Sequence, residues 1–137
     1  TDCSQIPDLV PAMAVLAAYA EGDSTFRNVE RLRMKECDRV DAISEMLAAV
    51  NVKVDITSHD SSEDMTVHGK GMDAPASGPV VINSHNDHRI VMAAAAIAAA
   101  GETPVIIKDA MAVNKSYPGF FDVVKDMGLS CEIVSDL

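Results

Sequence analysis

At 137 residues the chain is long enough for one domain with a real core, and 48% of it is apolar while only 4% is aromatic, so Ala, Val, Ile, Leu and Met must build that core. A net charge of −10 argues against broad binding to nucleic acid or an anionic membrane, since both need a basic surface. Cys3, Cys37 and Cys131 show no paired spacing, hence no disulfide framework and no metal signature, and a reducing cytoplasm is the expected compartment.

Residues 8–21 read as the first helix. Pro11 falls in its first turn, where a missing N–H is harmless, Asp8 sits near its positive end, and Gly22 is the expected stop. A strand over 24–29 and a polar loop over 30–36 follow. Residues 37–50 repeat at helical period, with Val40, Ile43, Leu47 and Val50 on one face and Asn51 as a left-handed cap. A strand over 52–57, a turn over 59–63 and a returning strand over 65–68 complete the first half. Residues 69–79, rich in Gly, Pro, Ala and Ser, read as a connector. Then come a strand over 80–83 and a helix over 88–100 that is apolar on every side, which predicts burial all round. Gly101 ends that helix and 104–108 is a strand. Pro118 starts the last helix, Gly128 caps it, and 129–134 is a strand. The run around 90–100 is too short and too rich in Ala to span a bilayer, and no stretch reads as a signal peptide. The chain opens on Thr1 without an initiator Met and is expected to be a piece of something longer.

The layout repeats. Asp8 and Asp87 each open an Ala-rich helix, Gly22 and Gly101 follow at equal distance, and Lys35 and Lys115 stand 27 and 28 residues after the two aspartates. Two tandem units are expected, about 1–73 and 79–137, each β-α-β-α-β, the first with an extra β return. The polar residues recur in loops entering helices, where chemistry usually sits.

Three polar groups stand at those places. In Lys35-Glu36-Cys37-Asp38-Arg39, a helix opened by Glu36 would set Lys35 and Arg39 four apart, converging on an anion at its N-terminus. A solvated face with i,i+4 ion pairs explains the same spacing equally well. With Arg31 and Arg33 nearby, the cluster predicts a cationic pocket suited to a small anion rather than a polymer. In Asn86-Asp87-His88-Arg89, Asp87 can N-cap the second long helix, yet capping does not explain why His88 and Arg89 follow on an apolar helix. Arg89 offers a bidentate fork for carboxylate or phosphate. In Asn114-Lys115-Ser116-Tyr117-Pro118, Lys115 precedes a proline-initiated helix and is the repeat partner of Lys35. His59, His68 and His85 read as surface residues and not metal ligands.

Through Ile6-Pro7-Asp8, the run Leu32-Arg33-Met34-Lys35-Glu36-Cys37-Asp38-Arg39, Asn86-Asp87-His88-Arg89 and Lys115-Ser116-Tyr117-Pro118, the chain resembles the enolpyruvyl transferase family over nearly its whole length. The Lys-Glu-x-Asp-Arg run favours the shikimate branch over the alternative, the UDP-N-acetylglucosamine enolpyruvyl transferases. The resemblance implies an α/β (α+β) fold of tandem βαβαββ units, the inside-out α/β barrel, of which this is a C-terminal fragment of one domain lacking its partner domain. It implies transfer of the enolpyruvyl group of phosphoenolpyruvate to the 5-hydroxyl of shikimate 3-phosphate with release of phosphate, in aromatic amino-acid biosynthesis, with no cofactor and no metal. By resemblance Asp8 is the proton acceptor, Glu36 the proton donor, and Lys35 a ligand of shikimate 3-phosphate. Arg39, Arg89 and Lys115 form the phosphoenolpyruvate clamp, with Asp87 and His88 orienting it. Arg31 stands where some members carry Asn, and no substrate contact is assigned to it. Cys37 stands where the family often has Ser or Thr and is read as a tolerated small residue, not a nucleophile.

Two other classes compete. A non-catalytic anion-binding module would keep the cations but has no need of Glu36 among them. A scaffold pairing its Ala-rich helices with another chain would leave Arg39, Arg89 and Lys115 without a reason to recur.

Overall fold

In the computed structural model, which describes residues 1–71, 79–101 and 104–132, a 3-10 turn at Pro7–Leu9 leads into helix α1 (Val10–Tyr19), with Pro11 in its first turn. The helix ends short of Gly22, so the expected glycine stop is corrected: Ala20 is already extended, and Gly22 lies inside strand β1 (Glu21–Phe26) at φ +88°. Tertiary packing sets this end. A Cβ on Gly69 would stand 2.1 Å from the carbonyl oxygen of Ala20 and 2.5 Å from that of Ala17, so the third strand runs directly under the C-terminal end of α1. The chain leaves the helix early to pair with it.

The loop expected over 30–36 contains a 3-10 segment, Glu30–Met34, which buries Leu32. Helix α2 (Arg39–Ala49) begins two residues later than expected because Asp38 caps it, the side chain accepting from the Asp41 N–H at 3.2 Å. Glu36 therefore precedes the helix instead of opening it. Val40, Ile43, Leu47 and Val50 are each 0% exposed, which bears out the predicted face. Asn51 adopts φ +65°, the expected left-handed exit. Strands β2 (Lys53–His59) and β3 (Ser62–Lys70) then form an antiparallel hairpin, and β3 pairs on its other side with β1, giving the order β1-β3-β2.

Strand β4 (Val80–Asn83), helix α3 (His88–Gly101) and strand β5 (Val105–Lys108) make a crossover unit with β4 and β5 parallel. A 3-10 segment at Ala110–Lys115 precedes helix α4 (Phe120–Asp126), which starts two residues beyond Pro118 with Gly119 at its N-cap. Gly128 ends it at φ +104°: its N–H donates to the Lys125 carbonyl and that of Leu129 to the Val124 carbonyl, the two bonds of a Schellman exit. Of the strand expected over 129–134, residues 129–132 carry none and the rest lie outside the described residues, as does most of the connector.

Helix α1 packs on α3 and β3, and α2 on β4, around a core of Ala14, Ile43, Leu47, Met65, Val67, Ile82, Ile90 and Ile97. Small residues on α1 and α3 permit the close approach. Burial is not all round, however: Ala96 on α3 is exposed, and α1 leaves Leu16 74% exposed. No helix among the described residues is long and apolar enough to cross a membrane. The order helix, strand, 3-10 segment, helix occurs twice. A lone parallel bridge joins Asp2 to Arg27, and β4 pairs with β5 at Val81 and Ile106; both pairings span 25 residues (27 − 2 and 106 − 81). The glycines do not correspond, since Gly22 is in a strand and Gly101 is the last residue of α3.

Candidate active site

Three segments converge where their helices begin. The first is the 3-10 turn before α1, which carries Asp8. The second is the stretch Lys35–Cys37 between the 3-10 segment and the Asp38 cap. The third is the tight loop between β4 and α3, where His85 and Asn86 are both left-handed, at φ +53° and +58°. That loop is held by its own side chains. The His85 N–H donates to Asn83 Oδ1 at 2.8 Å, and the Asn86 N–H to Ser84 Oγ at 3.2 Å. Asp87 follows, fully buried, and caps α3 by accepting from the Arg89 N–H at 2.9 Å, as expected.

Arg39 joins the three. Its side chain is only 1% exposed, and its Nε and Nη2 donate to the two oxygens of Asp87 at 2.7 and 3.2 Å. Nη1 donates to Asp8 Oδ1 at 3.0 Å, and Nη2 also meets the Glu36 carboxylate. Lys35 Nζ lies 3.9 Å from one oxygen of Asp8 and Arg89 Nη2 lies 4.0 Å from the other. Asp8 and Glu36 keep 53% and 45% of their side chains exposed, so both face an open side. Among the described residues, His88 Nδ1 and Arg89 Nε are buried without a hydrogen-bond partner, two unused polar atoms at the wall of the cluster.

The cationic pocket expected from the sequence is corrected by these contacts. Around Arg39, the cations Lys35, Arg39 and Arg89 are matched by Asp8, Glu36 and Asp87, three charges against three, with Lys115 standing beside this group on a backbone carbonyl. Burial raises the Asp87 carboxyl, but the Arg39 hydrogen bonds and the Arg89 N–H outweigh it and hold the group below the usual carboxylate range. Asp8 shows the same balance: partial burial pulls upward, while Arg39, Lys35 and Arg89 outweigh it and hold the group below the usual carboxylate range. Burial and the neighbouring Asp87 push the Cys37 thiol up to about 12, and its Sγ donates to Asp87 Oδ2 at 3.3 Å, in keeping with a residue that is not a nucleophile. Glu36, Asp87 and His88 bring metal-ligand atoms within 4.8 Å of one another, the one such grouping among the described residues. Arg39 donates to both of those carboxylates, so a guanidinium already supplies the charge a cation would bring.

Lys115 is placed differently from its expected partner Lys35. It closes the 3-10 segment, and its Nζ donates to the Asn86 carbonyl at 2.8 Å, beside Asp87 rather than at a carboxylate. Helix α4 begins five residues on, at Phe120. His59, His68 and His85 stand partly exposed at the surface, each against a carboxylate. Local spacing placed Arg33 in the basic cluster but missed its partner Glu63, which lies 30 residues away. It also missed the left-handed His85–Asn86 turn, for which Asn86 was the one available signal.

A model of the EPSP synthase (3-phosphoshikimate 1-carboxyvinyltransferase) family matches residues 1–124. A 3-phosphoshikimate 1-carboxyvinyltransferase of Clostridium novyi is 41% identical over 127 residues, 93% of this chain and 27% of its own length. One of Pyrococcus abyssi is 42% identical over 122 residues, covering 88% of this chain and 27% of the relative. Two solved EPSP synthase structures from Acinetobacter baumannii superpose with TM-scores of 0.75 and 0.77 at 30% and 26% identity, over 90% and 92% of this chain and 27% and 28% of theirs. The chain thus spans about a quarter of the length of the proteins it matches. With its mixed helix-and-sheet architecture and residues 1–124 under the family model, the chain belongs to the EPSP synthase family.

Proposed function

We propose that this chain supplies part of the active site of a transferase that moves the enolpyruvyl group of phosphoenolpyruvate to the 5-hydroxyl of shikimate 3-phosphate and releases phosphate. The observation that carries this reading is the gathering of two half-exposed carboxylates, Asp8 and Glu36, onto one buried guanidinium beside Lys35 and Arg89. The reaction needs a base for the attacking hydroxyl, an acid for the methylene carbon, and cations for a phosphate and a carboxylate. Asp8 is the proton acceptor and Glu36 the proton donor. Lys35 binds shikimate 3-phosphate, and Arg39, Arg89 and Lys115 clamp phosphoenolpyruvate. Asp87 and His88 orient the clamp, Asp87 by its double grip on Arg39. An incoming anion competes with Asp8 and Glu36 for the outer nitrogens of Arg39, so binding frees the two groups that move protons.

Two units, about 1–73 and 79–137, are supported by the recurring element order and the shared 25-residue span of the parallel pairings. A further domain of the same protein closes over the substrates, as the share of the relatives' length covered here suggests. The UDP-N-acetylglucosamine branch is not favoured, because the matching relatives bear the shikimate name.

The test is made in a full-length chain carrying this sequence. Glu36→Gln is expected to lower kcat by at least about 100-fold and leave substrate binding nearly unchanged, since it removes a proton and little else. Arg89→Ala is expected to weaken phosphoenolpyruvate far more than shikimate 3-phosphate. Near-normal turnover with Glu36→Gln would show the proton donor to be another group.

A further inference from the structure

We propose that Arg33 is a positioning residue for this reaction: it fixes the stretch that presents Lys35 and Glu36 by tying down both of its ends. The proposal rests on the role given to Glu36 above. Residues Lys35–Cys37 belong to no helix or strand, so the segments on either side must set where they point. Arg33 lies one residue from the end of the 3-10 segment. Its Nε and Nη2 donate to the two oxygens of Glu63 on β3 at 2.6 and 2.9 Å, a bidentate fork that fastens the upstream end to the sheet. Its Nη1 donates to Asp38 Oδ2 at 3.0 Å and to Asp41 Oδ1 at 3.1 Å, fastening the downstream end to the start of α2. Asp38 is shared in this work, one oxygen taken by Arg33 and the other capping α2.

Binding of a substrate anion by Arg33 is disfavoured by the same contacts. One guanidinium faces three carboxylates, Glu63, Asp38 and Asp41, so its surroundings are net negative and four of its five N–H donors are engaged. Its effect on chemistry therefore passes through Lys35 and Glu36. A displacement of about 1 Å at a reacting group lowers rate by on the order of 100-fold, which makes so remote a tether matter.

In the full-length chain, Arg33→Gln is expected to reduce kcat by about 10- to 100-fold. KM for phosphoenolpyruvate should move less than kcat, because two of the three clamp residues, Arg89 and Lys115, stand on elements that Arg33 does not touch, and the third, Arg39, is held independently by Asp87. Arg33→Lys should fail to restore the rate, since one ammonium cannot make the fork and hold Asp38 together. Lys53→Gln, an equal loss of charge at an exposed position on β2 away from the site, should leave kcat unchanged. Glu63→Gln is the second variant should Arg33→Gln fold poorly; it keeps the shape and weakens the fork, and should lower kcat in the same direction by less. Folded Arg33→Gln and Glu63→Gln proteins with undiminished kcat, or Arg33→Lys with full rescue, would overturn the proposal. Glu36→Gln measured alongside separates the two readings: a dead Glu36→Gln beside a fully active Arg33→Gln rejects only the tether, whereas an active Glu36→Gln rejects the donor itself.

Discussion

Arg39 and Asp87 bury opposite charges at 1% and 0% exposure, and such a pair is held by geometry rather than by any net gain from leaving water. Removing one partner strands the other. Asp87→Asn keeps the shape and the cap on α3 yet leaves the guanidinium under-compensated, and it should destabilise the fold by about 3 kcal/mol, read from urea denaturation at neutral pH. The pH dependence follows from the direction of the shift. Asp87 is depressed in the folded state, so its contribution is present above the ordinary unfolded carboxylate value of about 3.9 and is lost as pH falls through the lower folded value. Stability of the Asp87→Asn protein should fall less steeply over that acid range. An unchanged acid limb would mean that the pair does not govern it.

Among the elements, the contact of β3 with the end of α1 is the least forgiving. Gly69 sits under three backbone carbonyls, of Ala20, Ala17 and Gly22, none of which can rotate away. Gly69→Ala should therefore cost about 3 kcal/mol or more, seen as a lowered Tm, and a neutral result would mean that the helix and strand are free to separate. The outer face of the same sheet carries a titratable link. His68 on β3 lies 2.7 Å from Asp23 on β1 and 2.7 Å from Asp55 on β2, with Lys53 paired opposite it. Its hydrogen bonds to Asp55 and Asp23 raise its folded pKa above the usual histidine value. The link is thus fully present below about pH 6.5 and is lost as pH rises through the folded value. An NMR titration should place His68 above the usual histidine value, and Asp55→Asn should bring it down. A His68 titration that Asp55→Asn leaves unmoved would remove the link.

For the molecule as a whole, an overall charge of −10 coexists with a site whose charges balance. Phosphate or phosphoenolpyruvate must displace carboxylates from Arg39 and work against the acidic surround. Stabilisation of this chain should therefore be weak and should fade at high salt, as a small rise in Tm at low ionic strength that disappears as salt is added. Turnover by the chain alone is not expected, because closure of a second domain would be needed to exclude water and complete the clamp. Enolpyruvyl transfer measured with residues 1–137 alone would sink that view.

The sequence by itself determined the features that depend on neighbours along the chain: the buried face Val40, Ile43, Leu47 and Val50, the Asp87 cap, the Asn51 and Gly128 exits, and the strand over 80–83. Periodicity, capping and left-handed exits are local physics, so a single sequence reveals them. It also picked out Asp8, Lys35, Glu36, Arg39, Asp87, His88 and Arg89 as polar groups at helix entrances, and these residues do come together. Tertiary structure alone decided what they do to one another. Arg39 reaches Asp87 across 48 residues and Asp8 across 31, turning an expected cationic pocket into a balanced one. Arg33 reaches Glu63 across 30, and Gly69 under α1 ends that helix before Gly22. Charge pairing and close approach depend on distance in space, and a spacing along the chain carries no measure of it.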